Sequence, residues 1–300
     1  MPIVSCYLMG GLGNQLFQIF TTIAYGIRSK RKIIFPYSKK LNLSNIRYTY
    51  WDTFLSSLKT MTSSSEDLLH LVQYRETTHH YNEIPMLQND EFLLFGYFQS
   101  YKYFESEKET IFSLIRLSES RKKVVDEFSE YFPENKCVVS MHFRLGDYKN
   151  FLNSHPIMPY TYYDTALMHI LMNSNTNDPI NVLYFCEKED NDVVSSMIQQ
   201  FSNFYTGFKF IKVDDHIEDW KQMLLMSNCH HHIIANSSFS WWGAYFSKDN
   251  LGFEKLPSSV SKSSDKIVCY PSLWFGPALS DKIVDDMFPN EWKKIDVRPV

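Results

Sequence analysis

From residue 137 onward, short apolar runs alternate with amphipathic stretches, and this constrains the fold more than any other feature of the chain. Runs that read as strands fall at 137–143, 181–186, 208–213, 232–235 and 266–270. Stretches of helical period at 162–172, 192–201, 218–226 and 238–247 lie between them. Such alternation implies a parallel sheet covered by helices on both faces. Ligands of such sheets bind beyond the carboxyl ends of the strands, here the loops after Phe143, Cys186 and Ala235. The first half opens in the same style. A strand at 3–8 leads into the glycine-rich loop 10–15, and Leu16, Phe20, Ile23 and Ile27 then recur at helical spacing before a strand at 32–35. Residues 38–89 are polar and poorly periodic, 92–98 read as a strand, and 105–132 are charged and helical in pattern. Pro133-Glu134-Asn135 supplies a break. The expectation is an α/β chain of two Rossmann-like domains facing a central cleft, 1–134 and 135–300.

Composition narrows the class of partner. A net charge of −4 without a long basic run argues against nucleic acid. The five cysteines are scattered and form no C-x-x-C pair, so buried, reduced thiols in a cytosol-like compartment are expected rather than a disulfide framework or a zinc site. Cys229-His230-His231-His232 invites a metal reading, but successive side chains of an extended segment face opposite ways. Residues 1–27 carry no charge, yet Asn14, Gln15, Gln18, Thr21, Thr22 and four glycines would be penalised in lipid. No positive n-region precedes them. A cytoplasmic protein without a transmembrane segment is expected, with peripheral membrane contact compatible but not demanded.

Three segments carry chemistry. The loop Gly10-Gly11-Leu12-Gly13-Asn14-Gln15 lacks the G-x-G-x-x-G spacing, with Leu16 at the third glycine, and no acidic residue ends the next strand. Dinucleotide binding is therefore rejected. What remains is close backbone approach with Asn14 at a helix start, or a tight turn in which Asn14 caps the helix. The second segment is Met141-His142-Phe143-Arg144-Leu145-Gly146-Asp147-Tyr148. An arginine at a strand end forks two oxygens of a diphosphate, and Asp147 can hold it, bind a hydroxyl or take a proton. Taken alone, the pair reads equally as a structural ion pair and His142 as a packed strand residue. In the third segment a strand feeds Asn236-Ser237-Ser238-Phe239-Ser240-Trp241-Trp242, a polar helix start whose free N–H groups suit an anion or a hydroxyl-rich ligand. Trp241 and Trp242 are expected to fill core. Asp190-Asn191-Asp192 resembles a metal-binding D-x-D, but carboxylates in a turn before a helix also act as caps and dipole partners, and that reading is preferred.

Together these motifs, with Phe95-Gly96-Tyr97-Phe98-Gln99 and the approach from Trp220 to Ala235, closely resemble the α-1,2-fucosyltransferases of glycosyltransferase family eleven, over nearly the whole chain and in order. The resemblance implies a GT-B-like fold, GDP-fucose as donor, and inverting transfer of L-fucose to the 2-hydroxyl of a terminal galactose. It implies no catalytic metal and no other cofactor. Carried over by position, Arg144 binds the β-phosphate and stabilises departing GDP. His142 supports the strand end or contacts the donor, while Asn236, Ser237, Ser238 and Ser240 hold the diphosphate and fucose. Gly13 and Asn14 reach the donor from the other half. Asp147 is the candidate base, or else orients Arg144 with no strong base present. The family motif usually reads His-x-Arg-Arg-x-Asp, and here the second arginine is Leu145. Alternation at a strand end turns Leu145 away from Arg144 into packing. Weaker donor affinity, altered specificity or an inactive enzyme are the other consequences open at this point. A galactose-terminated oligosaccharide is the expected acceptor. The alternatives are a protein hydroxyl, a different sugar, or a catalytically impaired relative that only binds. The layout resembles the short bacterial or viral members, without the N-terminal anchor of animal ones.

Overall fold

The computed structural model describes residues 1–42, 46–64, 68, 70–174, 179–247 and 266–297. The chain forms two compact units, Met1–Ser120 with Asp281–Pro289, and Arg121–Ser280 with Asn290–Val300. In the first, β1 (Ile3–Cys6) runs into α1 (Leu12–Ser29), β2 (Lys32–Ile33), β3 (Phe35–Tyr37), β4 (Lys40–Asn42), β5 (Ile46–Tyr48), β6 (Thr62–Ser64), β7 (Val72–Arg75), β8 (Glu91–Phe95) and α2 (Lys108–Leu114). Its main sheet is parallel throughout, in the order β2-β1-β8-β7. Of the regularly spaced apolar residues of α1, Leu16, Phe20 and Ile23 have no exposure and Phe20 meets Phe104 edge-on at 5.5 Å, whereas Ile27 in the last turn is 40% exposed.

In the second unit α3 (Leu117–Glu127), which crosses the boundary, precedes β9 (Val138–His142), α4 (Tyr160–Asn173), β10 (Ile180–Phe185), α5 (Asn191–Phe204), β11 (Phe208–Lys212), α6 (Asp219–Ser227), β12 (His231–Ile233), α7 (Ser238–Tyr245), β13 (Val268–Pro271) and β14 (Lys293–Ile295). All six strands are parallel, in the order β11-β10-β9-β12-β13-β14. Counted from β9, that is the 3-2-1-4-5-6 order of a dinucleotide-fold sheet, whose crossover reverses between β9 and β12. Every residue of β9 is buried, as a strand covered on both faces requires. Tyr162, Tyr163, Ala166, Leu167 and Ile170 of α4 pack on one side of the sheet core. Trp241 and Trp242 are fully buried, and Trp241 stacks on Tyr245 at 4.7 Å. Gly243 beside them lets α7 lie against α6, since a Cβ there would stand 2.8 Å from the Cβ of Met226. Two parallel α/β units in one chain make up a GT-B-like α/β fold.

Some elements differ from the sequence reading. The helical stretch at 105–132 is two helices, broken where Arg116 takes a φ of 52°. Strands β7 and β14 lie in polar segments without a period. All five cysteines are free and buried. No helix among the described residues is long and apolar enough to cross a membrane.

Candidate active site

The crossover point of the six-stranded sheet is where its chemistry gathers. β9 ends at His142 and β12 at Ile233, side by side, and the next residues of each carry the polar motifs. Arg144 follows β9. One of its terminal nitrogens donates to Asp147 Oδ1 and the other to Glu187 Oε1, and the guanidinium lies 5.0 Å over the Tyr148 ring. Tyr148 in turn donates its hydroxyl to the Asn236 carbonyl at 3.1 Å, tying the loop after β9 to the loop after β12. Gly146 takes a φ of +33°, in the region where a side chain is strained, and its N–H donates to Asp190 Oδ2 at 2.8 Å. Asp190 is fully buried and its other oxygen receives Lys149 Nζ. Leu145 is 4% exposed and belongs to the apolar core of the second unit.

On the β12 side, Asn236 is 2% exposed. Its Nδ2 donates to the carbonyls of Pro156 and Trp274, at 2.9 and 3.2 Å, while its buried Oδ1 has no hydrogen-bond partner among the described residues. Ser237 is the N-cap of α7 and accepts the Phe239 N–H at 3.3 Å; Ser240 donates back to the Ser237 carbonyl at 3.3 Å. Ser238 opens the helix and is half-buried. His142 is 7% exposed, and its Nδ1 is likewise buried without a partner among the described residues. Burial, reinforced by the Arg144 charge, pushes its pKa down to about 3, so the ring is neutral. Two orphaned polar atoms at one crossover point are what a site built for a polar ligand leaves in its absence.

Gly13 and Asn14 belong to the first unit. Asn14 Oδ1 accepts from Gln99 Nε2 at 2.8 Å, which joins the first turn of α1 to the loop after β8. Asn14 does not cap α1: the N-cap is Gly11, with no side-chain cap bond. In the D-x-D segment Asp190 stands at the N-cap of α5 and Asp192 in its first turn, as dipole partners do, although not as side-chain caps. Asp190 makes no side-chain cap bond, and its carboxylate is engaged by Gly146 and Lys149; Asn191 Nδ2 donates to Asp215 Oδ2 at 2.7 Å. The histidine run is wired into strand edges. His230 Nδ1 accepts the Val138 N–H at 3.0 Å and His231 Nδ1 the Ile267 N–H at 3.1 Å, while His232 lies between Ser140 and Ser247 at 2.7 and 2.8 Å. Among the described residues no group of three or more His, Cys, Asp or Glu side chains is placed to hold a metal. Glu187 was not singled out by the sequence, and Tyr148 and Asp190 were quoted only within the strand-end motif and the D-x-D run; the signal common to all three is their position after a strand end in a parallel sheet.

The family pattern "Glycosyl transferase family 11" matches residues 3–252. The Escherichia coli O-antigen biosynthesis glycosyltransferase WbnK is 27% identical over 95% of this chain and 99% of its own. An alpha-1,2-colitosyltransferase, also of Escherichia coli, is 28% identical over 86% of this chain and 92% of its own. A galactoside 2-alpha-L-fucosyltransferase of Caenorhabditis elegans is 22% identical over 98% of this chain and 79% of its own. The solved structure of the alpha-1,6-fucosyltransferase NodZ soaked with GDP-fucose aligns over 82% of this chain and 93% of its own, at 12% identity and a TM-score of 0.47. The chain belongs to glycosyl transferase family 11, and it is a glycosyltransferase.

Proposed function

We propose that this chain transfers L-fucose from GDP-β-L-fucose to the 2-hydroxyl of a terminal galactose on an oligosaccharide, with inversion. The observation that carries the reading is Arg144 at the sheet's crossover point, beside the orphaned His142 Nδ1 and Asn236 Oδ1. In the proposed step the bond from the anomeric carbon to the β-phosphate oxygen breaks as the bond to the acceptor oxygen forms on the opposite face. The acceptor's proton leaves late. Arg144, with the N–H groups at the start of α7, offsets the charge building on GDP, which is the largest demand of such a reaction. His142, Asn236, Ser237, Ser238 and Ser240 complete the donor set within the second unit. Asp147 positions Arg144 through their ion pair, and with so good a leaving group a strong base is dispensable. The proposal requires no metal.

The test is GDP release from GDP-fucose, with and without lactose or N-acetyllactosamine, in EDTA, for the wild type and Arg144→Ala. Acceptor-dependent release that survives EDTA and is lost in the variant is expected. Release abolished by EDTA, or unchanged by the substitution, would overturn the mechanism. A second reading has its own support in the colitosyltransferase at 28% identity. Colitose is fucose without its 3-hydroxyl, so kcat/KM with GDP-fucose against GDP-colitose tells the two donors apart.

A further inference from the structure

Arg144 has more partners than the proposed reaction uses. Asp147 lies three residues away on the same loop, but Glu187 arrives from the loop after β10, at a sequence separation of 43. Several contacts fasten that loop to the one bearing Arg144. The Phe143 N–H donates to the Phe185 carbonyl at 2.8 Å, immediately before both loops leave the sheet. The fully buried Asp190 receives the Gly146 N–H at 2.8 Å and the Lys149 ammonium. The Glu187 carboxylate itself fills the recess left by the missing side chain of Gly146: a Cβ there would lie 2.4 Å from Oε2, 2.8 Å from Cδ and 2.9 Å from Oε1. A carboxylate lodged in a backbone recess, on a loop braced by a buried aspartate, is part of the construction of the site. A passing surface ion pair has no such seat.

Resting on the functional reading above, we propose that Glu187 is the positioning residue for Arg144. Together with Asp147 it fixes the guanidinium so that its remaining N–H groups face the diphosphate of a nucleotide-sugar donor. A guanidinium has five N–H donors, and two carboxylate contacts leave some for an anionic ligand. Two effects of Glu187 oppose each other. Its negative charge disfavours an incoming diphosphate, whereas its grip spares the ligand the cost of ordering a long flexible side chain. The seat against Gly146 decides for the grip, because a counter-ion meant to leave has no need of a recess shaped by a glycine of positive φ. Glu187 touches no substrate in this scheme and acts only through Arg144.

The experiment uses the full chain and GDP itself as the probe, with binding read by calorimetry and transfer by initial rates. Glu187→Gln should weaken GDP binding by roughly tenfold to a hundredfold, the scale of a misplaced binding group. It should raise the donor KM and leave the acceptor KM unmoved, and Glu187→Asp should restore part of the loss. In an Arg144→Lys background the same substitution should add nothing, because there is no fork left to hold; a merely structural role would give equal losses in both backgrounds and a lower melting temperature. A Glu187→Gln variant that binds GDP as tightly as the wild type, or more tightly, overturns this inference and leaves the functional reading standing. A wild-type chain that does not bind GDP overturns both.

Discussion

Position 145 holds a leucine where the family resemblance leads one to expect a second arginine, and its surroundings say what an arginine would meet. The side chain is 4% exposed among Met141, Phe143, Met158 and Tyr162 of the sheet core. A guanidinium forced into that apolar space is stripped of water, so Leu145→Arg should destabilise the fold by about 2–4 kcal/mol without improving donor affinity. Denaturant unfolding and the donor KM check the two halves; a stable variant with a lower KM would mean the position faces the ligand. Gly146 is the more sensitive neighbour. Alanine there meets both the strain of a φ of +33° and the Glu187 carboxylate at 2.4 Å. Gly146→Ala should lower stability by about 1–3 kcal/mol and cut transfer far more than that loss alone would, with circular dichroism confirming the fold. The Arg144–Asp147 pair was legible from its spacing of three residues. Glu187 was not, because a contact across a separation of 43 residues leaves no local pattern and emerges only once β9 and β10 are known to be neighbours.

At the scale of elements, the apolar runs of the second half marked β9, β10, β12 and β13 because central parallel strands are buried and read as apolar sequence, while β11, at the sheet edge, showed as Phe-Lys-Phe-Ile-Lys. β14 contributes Lys293 and Lys294 to its three residues, and β7 reads Val-Gln-Tyr-Arg; both are edge strands with a face to water, so neither shows a period. The run preceding β12 gave the opposite difficulty, since three histidines look like ligands. They act instead as acceptors and partners along strand edges, and that arrangement carries a pH consequence. Burial pushes the His231 pKa down to about 4 and holds His230 below and His232 well below the ordinary value, with Lys266 adding to each shift. The folded chain thus keeps these rings neutral where the unfolded chain protonates them near pH 6.5. Their contribution to stability is complete above pH 6.5, falls as the pH drops through that value, and levels off below the folded pKa. Each such ring should remove about 1.4 kcal/mol per pH unit inside that window. His231→Asn retains an acceptor for the Ile267 N–H without a titrating group, so its melting temperature between pH 7 and pH 5 should fall less steeply than that of the wild type. Identical slopes would show that other groups set the acid response.

For the whole molecule, Pro133-Glu134-Asn135 reads as a natural break, yet the chain passes between its two compact units at 120/121, 280/281 and 289/290. No local signal marks these crossings: the first falls inside α3, and the other two flank a nine-residue return, Asp281–Pro289, whose Met287 and Phe288 are buried. A boundary inside a helix cannot be read from composition, since a helix has the same periodicity on both sides of it. The practical consequence concerns excision. A fragment of residues 135–300 contains all six strands of the second sheet and the whole Arg144–Asn236 constellation, and would seem the minimal nucleotide-binding piece. It loses Arg121, which is 6% exposed and donates to the Ser227 carbonyl at 2.9 Å at the end of α6. It also loses Val124, 1% exposed, and Tyr131, whose hydroxyl accepts the Asp214 N–H at 3.1 Å. At about 1–3 kcal/mol for each buried group removed, these losses approach the whole stability of an ordinary domain. The fragment should therefore unfold without a cooperative transition and fail to bind GDP in calorimetry. A fragment of 121–300 should regain a cooperative transition, with GDP raising its midpoint in proportion to ligand bound. Cooperative unfolding and full GDP affinity in the shorter piece would place the working boundary at 134/135 after all.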